Sequence, residues 1–214
     1  MLLFSFDCAR KSMGVIVMNY NTTDFSKSAV LYADVWDLGD VRNAITTAPA
    51  LRRHLDKLET DFGIPEKVLY EFQMVQNDKS RMVSVMLAYH YGSTSKVFCI
   101  PPSLKNKICG AIEVSKIDFE TNCPVSSERK IRHGGKNKKF CDVLYQNTNT
   151  VSIVVQEFSK YSTTQYKANK SHTTAVFEWW ASVHGLCLKH IPKKNLDDVA
   201  DAFVQIMAHD VQNC

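Results

Sequence analysis

The first forty residues alternate between apolar runs and short polar breaks. "LLFSFD" is apolar at nearly every position, "MGVIVMNY" is rich in β-branched residues, and "SAVLYADVW" supplies a third run. Apolar runs of this length, separated by a few polar residues, are typical of β-strands. The pattern therefore predicts three consecutive strands that form an antiparallel meander.

The period then changes to that of a helix. In "APALRRHLDKLETDFG", apolar residues recur every three or four positions, and Gly63 and Pro65 end the pattern. "SRMVSVMLAYHYG" predicts a second helix, while "KVLYEFQ" and "KVFCIPP" predict a fourth and a fifth strand. The order βββαβαβ indicates an α/β fold with a mixed five-stranded sheet flanked by helices.

The remainder of the chain is less regular until its last part. Residues 111–170 include Cys-Pro, Gly-Gly and an Asn/Thr-rich "YQNTNT", so we predict an insertion made of loops and one strand, "VSIVVQEF". "HTTAVFEWWASVHGL" and "LDDVADAFVQIMAHDV" predict two closing helices. We expect a single domain over residues 1–214, with the insertion placed before the last helices.

Composition narrows the class of protein. The 214 residues are 45% hydrophobic, which is typical of a globular chain. No apolar run approaches the ~18 residues that span a bilayer, and no targeting signal is evident, so the cytoplasm is the expected location. The seven cysteines are odd in number and scattered, without a CxxC spacing, which argues against structural disulfides and a zinc site.

Positive charge is concentrated in one segment. "SERKIRHGGKNKK" holds six Lys or Arg and one acid, a net charge of +5 against +4 for the whole chain. One interpretation is an arm that binds a polyanion such as DNA; the other is a solvated loop without a partner. The residues that would bind DNA are Lys130, Arg132, Lys136, Lys138 and Lys139.

Carboxylates occupy positions where packing would favour apolar side chains. Asp7 closes the first predicted strand and Glu71 closes the fourth, and a buried acid is costly unless it is paired or binds a cation. In the last helix, Asp198 and Asp201 are three apart and Asp197 and Asp201 are four apart, so either pair could share a face. Periodicity alone does not choose between them.

Four carboxylates from two strands and one helix would suit hard cations. Mg²⁺ prefers oxygen ligands, and two such ions about 3.5–4 Å apart can promote hydrolysis of a phosphodiester. The alternative is a set of unrelated surface acids, with those of the last helix stabilising its N-terminal turn.

The segments "FSFDCARKSMGVIV", "VLYEFQ", "PPSLKNKICG" and "DDVADA", in this order, resemble the RuvC-type Holliday-junction resolvases of the RNase H superfamily, especially those of poxviruses and other large DNA viruses. The resemblance covers about residues 1–110 and 170–210. It implies an RNase H-like fold and a catalytic, metal-binding set made of Asp7, Glu71, Asp198 and Asp201. The family's D-x-x-D-A pattern selects Asp198 over Asp197.

The resemblance also implies a mechanism. The family carries a catalytic lysine in a segment Lys-x-x-x-x-Gly, matched here by Lys105 and Gly110, with Lys107 as the second choice and otherwise a DNA contact. Two Mg²⁺ ions, which Mn²⁺ may replace, would activate a water and stabilise the departing 3′ oxygen, leaving 5′-phosphate ends. Lys105 would stabilise charge in the transition state, or alternatively contact a DNA phosphate.

A four-way junction has two-fold symmetry, so the resemblance further implies a homodimer with two active sites. The helix "SRMVSVMLAYHYG" is the expected dimer element, although plain core packing is the alternative. Aromatic residues could stack on unpaired bases or lie in the core; these are Tyr89, Tyr91, Trp179 and Trp180. Three histidines are expected to be structural rather than ligands, namely His172, His184 and His190.

Two other functions fit parts of the sequence. Another nuclease of the RNase H superfamily would cut RNA–DNA hybrids or flaps. A DNA-binding module that has lost catalysis would keep the fold, but it would have no reason to hold four converging carboxylates.

Overall fold

The fold is described by a computed structural model over residues 1–8, 12–23, 27–39, 43–71, 78–101 and 184–213, with backbone alone at 78–79 and 210–213. Between residues 101 and 184 it describes the backbone at 117–118, 123–124, 138–144 and 150–156, together with positions 170, 173–174, 177–178 and 180–182.

Five strands form the central sheet. They are β1 (Leu2–Cys8), β2 (Met13–Asn19), β3 (Ala29–Trp36), β4 (Lys67–Glu71) and β5 (Lys96–Ile100). The strand order is β3-β2-β1-β4-β5, with β1, β2 and β3 antiparallel and with β1, β4 and β5 parallel. The predicted meander and the mixed five-stranded sheet are therefore confirmed.

Three helices are described with both ends: α1 (Ala44–Phe62), α2 (Asp78–Tyr91) and α3 (Leu196–Asn213). A 3₁₀ turn at Lys193–Asn195 leads directly into α3. The described positions from 170 to 182 are helical as well, in agreement with the predicted helix there. In the part of the chain that the structure describes, no helix is long and apolar enough to cross a membrane.

Helix α1 begins four residues before the apolar repeat that predicted it. Asn43 caps the helix, its side-chain oxygen accepting the backbone N–H of Ile45 at 3.0 Å. Pro49 is the sixth residue of the helix, where a proline supplies no N–H for the usual i→i−4 hydrogen bond, so tertiary packing has to offset that loss. Gly63, with φ of 93°, ends the helix as predicted.

The sheet is covered on both faces, as expected for a β1 strand that is apolar at almost every position. Alternate residues of a strand point to opposite faces. The face toward α3 buries, among others, Leu3, Ile16, Leu69, Val199, Phe203, Ile206 and Met207. The opposite face buries, under α1 and α2, Phe4, Phe6, Val15, Val68, Leu51, Leu55 and Leu87.

The insertion contains more strand than the sequence predicted. Two antiparallel pairs are present: β6 (Ile117–Asp118) with β7 (Cys123–Pro124), and β8 (Lys138–Leu144) with β9 (Thr150–Gln156). The prediction of one strand was wrong because "KKFCDVL" begins with two lysines of the basic segment and has no clear alternation. An antiparallel partner supplies the hydrogen bonds that propensity alone does not indicate.

Three cysteines have described side chains, and all three are free thiols: Cys8, Cys99 and Cys187. Cys8 is buried beneath the sheet, and burial raises the pKa of its thiol to about 12. Cys8 is therefore protonated and serves as a small packing residue.

Candidate active site

Asp7 is a buried acid at the end of β1. Its side chain is 5% exposed, and its Cα lies opposite that of Gly14 in β2. It shares a face with Leu3 and Ser5, both of which point toward α3. A carboxylate in this position is costly unless other groups compensate its charge, which is the situation that the sequence predicted.

Glu71 ends the neighbouring parallel strand. The last paired residues of β1 and β4 are Phe6 and Tyr70, so Asp7 and Glu71 are the next residues on each strand. Adjacent strands lie about 4.8 Å apart, and residues in register point to the same face. Asp7 and Glu71 therefore lie at the same level of the sheet, on the side that α3 covers, and Glu71 is partly exposed there.

Helix α3 crosses this face antiparallel to β1. The Ser5 hydroxyl donates to the backbone carbonyl of Ala202 at 2.7 Å. Toward the start of the strands, Lys67 Nζ lies 3.3 Å from His209 Nε2 near the end of the helix. The two contacts set the direction of α3, so its first turns lie over the strand ends that carry Asp7 and Glu71.

A third contact fixes the start of the helix. Gly14 packs directly beneath the backbone of α3 at Asp198, so closely that a Cβ on this glycine would overlap the Asp198 carbonyl group. Next to it, the Ser12 hydroxyl donates to Asp198 Oδ2. Because Gly14 is the partner of Asp7 in the sheet, Asp198 is held beside the acidic end of β1.

Asp198 carries the electrostatic mark of an enclosed acid. Burial raises its pKa above the ordinary range, while the hydrogen bond from Ser12 and the charge of Lys170 oppose that shift. The negative charges of Asp197 and Asp201 add to the increase. A cation near Asp198 would offset both the cost of burying its negative charge and the repulsion from the neighbouring acids.

Asp197 differs from its neighbour in having a cation of its own. Its carboxylate pairs with Lys170 Nζ, and both side chains are 30% exposed. It also lies in the first turn of α3, where an acid interacts well with the helix dipole. The structural interpretation of Asp197 thus has direct support, and Asp198 is the acid directed toward the sheet.

Asp7, Glu71 and Asp198 lie at one end of the sheet, and Asp201 follows Asp198 by three positions in α3, but the four acids do not form a closed cluster. Among the described residues, no three His, Cys, Asp or Glu side chains are arranged so that they could hold a metal ion as they stand. The chemistry of the donors nevertheless fits a hard cation, since Asp7, Glu71, Asp198 and Asp201 offer oxygen only. Mg²⁺ retains several waters and needs few protein ligands, so full convergence of the four acids is not required.

The structure does not describe the side chains of the predicted basic residues, because these residues lie outside the described part of the chain or belong to β8, where only the backbone is described. They are Lys105, Lys107, Lys130, Arg132, Lys136, Lys138 and Lys139. Their roles stay predictions.

Most of the described aromatic and histidine candidates are structural. Tyr91 and Trp180 are fully buried, which rules out base stacking for both and confirms the core alternative, whereas Tyr89 is 89% exposed. His184 stacks on Trp180 with ring centroids 4.2 Å apart. His190 Nε2 lies 2.9 Å from the backbone carbonyl oxygen of Ala33. Trp179 and His172 lie outside the described residues.

Sequence reasoning missed Ser12 and Gly14. Glycine inside a strand often marks a close backbone approach, so Gly14 carried a usable signal. Ser12 carried none, because its partner is 186 positions away.

Comparisons with known proteins agree with the fold described above. A model of the family described as Poxvirus A22 protein matches residues 125–213, which include Asp198 and Asp201. The crystal structure of the fowlpox virus resolvase with its substrate Holliday junction DNA is similar over 100% of this chain and 99% of that one, with 15% identity and a TM-score of 0.55. No curated protein matches by sequence.

Two further structures have the same fold. The fowlpox virus Holliday junction resolvase, in a second crystal structure, is 14% identical with a TM-score of 0.54, and both chains are covered completely. Thermus thermophilus RuvC is 11% identical with a TM-score of 0.52, covering 100% of this chain and 97% of that one. The predicted fold is thereby confirmed: the whole chain is similar in fold to the fowlpox virus resolvase and to RuvC, and its C-terminal part matches the poxvirus A22 family.

Proposed function

We propose that this protein is a metal-dependent, structure-selective endonuclease that resolves four-way DNA junctions by paired phosphodiester hydrolysis. One observation carries the proposal: in a resolvase fold, α3 docks with Asp198 against the strand ends that bear Asp7 and Glu71. The poxvirus family match over the same helix supports it.

The acids have distinct parts in the proposed site. Asp7, rigidly held in β1, and Asp198, oriented by Ser12, would provide the central oxygens, with Glu71 and Asp201 at either side. When bound, two Mg²⁺ or Mn²⁺ ions would supply an activated water and stabilise the departing 3′ oxygen, which leaves 5′-phosphate ends. The acids would bind and orient the ions, and the burial of Asp7 would limit the access of competing water.

β5 ends at Ile100, which is opposite Glu71 in the sheet, and Lys105 follows five positions later in the sequence. We assign it the role of stabilising charge on the scissile phosphate, and Lys107 that of a DNA contact. Separate alanine variants distinguish them: loss of Lys105 should slow cleavage of bound junction, while loss of Lys107 should weaken binding.

Branched DNA is the proposed substrate and a homodimer the proposed assembly. An apolar groove between α1 and α2 supports the dimer, because Val85 and Tyr89 are 60% and 89% exposed on its rim. Monomeric proteins rarely leave large apolar groups clustered on one surface. The dimer would present two active sites to the two-fold symmetric junction. Its expected location stays the cytoplasm.

The deciding experiment compares four substrates of equal length: a synthetic four-way junction, a duplex, a flap and an RNA–DNA hybrid, each with Mg²⁺. We expect paired nicks on the junction and ends that ligase can seal. Cleavage of the hybrid or flap alone would favour another nuclease of the superfamily. Binding of the junction without cleavage in Mg²⁺ or Mn²⁺ would favour the inactive DNA-binding module.

A further inference from the structure

We propose that Ser12, immediately before β2, and Gly14, the second residue of β2, position Asp198 for cation binding. We call these two residues the cradle. The inference rests on the proposed function, and it assigns a role to two residues that are not acids and that the resemblance gave no role. Both are positioning residues, since neither would itself contact the cation or the DNA.

Gly14 sets how closely the helix approaches the sheet. A Cβ at this position would overlap the carbonyl group of Asp198 and lie 2.8 Å from the backbone nitrogen of Val199. Real Cβ contacts essentially never fall below 3.0 Å, and the atoms here are backbone, which cannot rotate away. Any side chain at Gly14 must therefore push the first turn of α3 off the sheet.

The displacement would fall on the acid pair. Gly14 and Asp7 are opposite each other across the β1–β2 ladder, so the turn of α3 that packs on Gly14 lies beside Asp7. The lower part of α3 would stay in place, since Ser5 and Lys67 hold it at Ala202 and His209. The helix would tilt, and Asp198 would move away from Asp7.

Ser12 fixes the orientation of the side chain once the helix is seated. Its hydroxyl donates to one carboxylate oxygen of Asp198, Oδ2, and the pair is partly buried. One hydrogen bond of this kind restricts rotation of the carboxylate and leaves Oδ1 for a cation. Partners of metal-binding carboxylates commonly act in this way, and their loss weakens metal binding by about 10- to 100-fold.

The cradle can be tested without relying on cleavage. Calorimetric titration with Mn²⁺ would compare the wild-type protein with Ser12→Ala and with Ser12→Thr, which keeps the hydroxyl. We expect Ser12→Ala to bind Mn²⁺ about 10- to 100-fold more weakly and Ser12→Thr to restore affinity. Equal affinity in Ser12→Ala and wild type would overturn the inference, as would failure of the Thr variant to restore a lost affinity.

Gly14→Ala supplies the second measurement, with Val15→Ala as its control. Val15 is buried in the same strand but faces α1 and α2, so its loss weakens packing without touching α3. We expect Gly14→Ala, measured where circular dichroism shows it folded, to lose Mn²⁺ affinity while Val15→Ala keeps it. Equal effects of the two would overturn the role of Gly14; if Gly14→Ala does not fold, the serine pair decides.

The two proposals can fail separately. A wild-type protein that binds Mn²⁺ in a Ser12-dependent manner but cuts no junction would contradict the proposed function and support the cradle. If the wild-type protein cuts junctions but Ser12→Ala binds Mn²⁺ as well as the wild type does, the proposed function is supported and the cradle is contradicted. A wild-type protein that binds no Mn²⁺ would overturn both.

Discussion

At the scale of single residues, the acids of α3 give the sharpest test of the site. Asp197 has Lys170 as its partner, whereas Asp198 has Ser12 and faces the strand that carries Asp7. We expect Asp198→Asn and Asp7→Asn to cleave four-way junctions at less than about a hundredth of the wild-type rate, a larger loss than removing an outer partner of a ligand.

Asp197→Asn is the matched control, because it makes the same chemical change one position away on the same helix turn. It should keep most activity and lose some stability, because the ion pair with Lys170 is lost. Single-turnover rates measured at saturating protein separate a slower cleavage step from weaker binding of the junction. Equal loss of activity in the two α3 variants would contradict the assignment of Asp198 to metal.

His209 provides a prediction about pH that is remote from the site. Burial, and then the charge of Lys67, lower its pKa from 6.5 to about 4, so the folded protein keeps it neutral where an unfolded chain takes up a proton. Stability should therefore be complete above pH 6.5, decrease as the pH falls toward 4, and level off below. The loss amounts to about 2 kcal/mol at pH 5.

The measurement is urea unfolding at pH 7.5 and pH 5 for wild type and His209→Gln. Glutamine can still accept a hydrogen bond from Lys67 but does not titrate, so the difference between the two pH values should shrink by that amount. Other groups contribute equally to both proteins. An unchanged difference would contradict the assigned pKa shift.

At the scale of elements, α2 exposes apolar side chains in addition to those that it buries in the core. Val83 and Leu87 pack under the sheet, while Val85 and Tyr89 are exposed beside α1. We expect Tyr89→Glu to convert a dimer to a monomer at micromolar concentration, because a charge in an apolar interface is costly. Light scattering after gel filtration measures the mass directly.

Leu31→Glu is the control, since Leu31 is also an exposed apolar residue, 46% exposed, but lies on β3 away from the groove. It should leave the mass unchanged. A monomeric wild-type protein, or a dimer insensitive to Tyr89→Glu, would contradict the use of this groove.

The elements also indicate what a sequence can reveal. The five sheet strands and α1 to α3 were predictable because their apolar runs are long and their periods unambiguous. The start of α1 was not, because the Asn43 cap lies beyond a stretch with Thr46, Thr47 and Pro49 that resembles a loop. Strands β6 to β8 were missed because their partners, rather than their own patterns, make them strands.

The site was predictable only in part for a similar reason. Asp7 and Glu71 stand out as acids at the ends of apolar strands, but helical periodicity did not separate Asp197 from Asp198. The pairing with Lys170 and the contact with Gly14 do separate them, and both depend on segments distant in sequence.

At the scale of the whole molecule, the basic segment from Ser127 to Lys139 contrasts with a nearly neutral remainder. If it is an arm that binds DNA phosphates, deleting residues 127–137 should weaken junction binding and flatten its dependence on salt. Each lost phosphate contact reduces the slope of log K against log salt concentration by about 0.9.

Junction affinities measured between 50 and 200 mM salt test this prediction. All the proteins compared carry Asp198→Asn, which is expected to make them catalytically inactive, so that binding alone is measured. Replacing the same residues by a Gly/Ser linker of equal length separates loss of charge from shortening of the chain. An unchanged slope with both variants would favour the solvated-loop interpretation.

The docking of α3 also has a consequence for how activity arises during folding. Ser12 and Asp198 are 186 positions apart, and Ser5 and Ala202 are 197 apart, so the acids come together only after the longest loops in the chain have closed. Contacts of such sequence separation form late and cooperatively. A nascent or partly degraded chain would therefore hold the acids of the sheet without those of the helix, and under the proposed function such a chain would not nick DNA before it is fully folded.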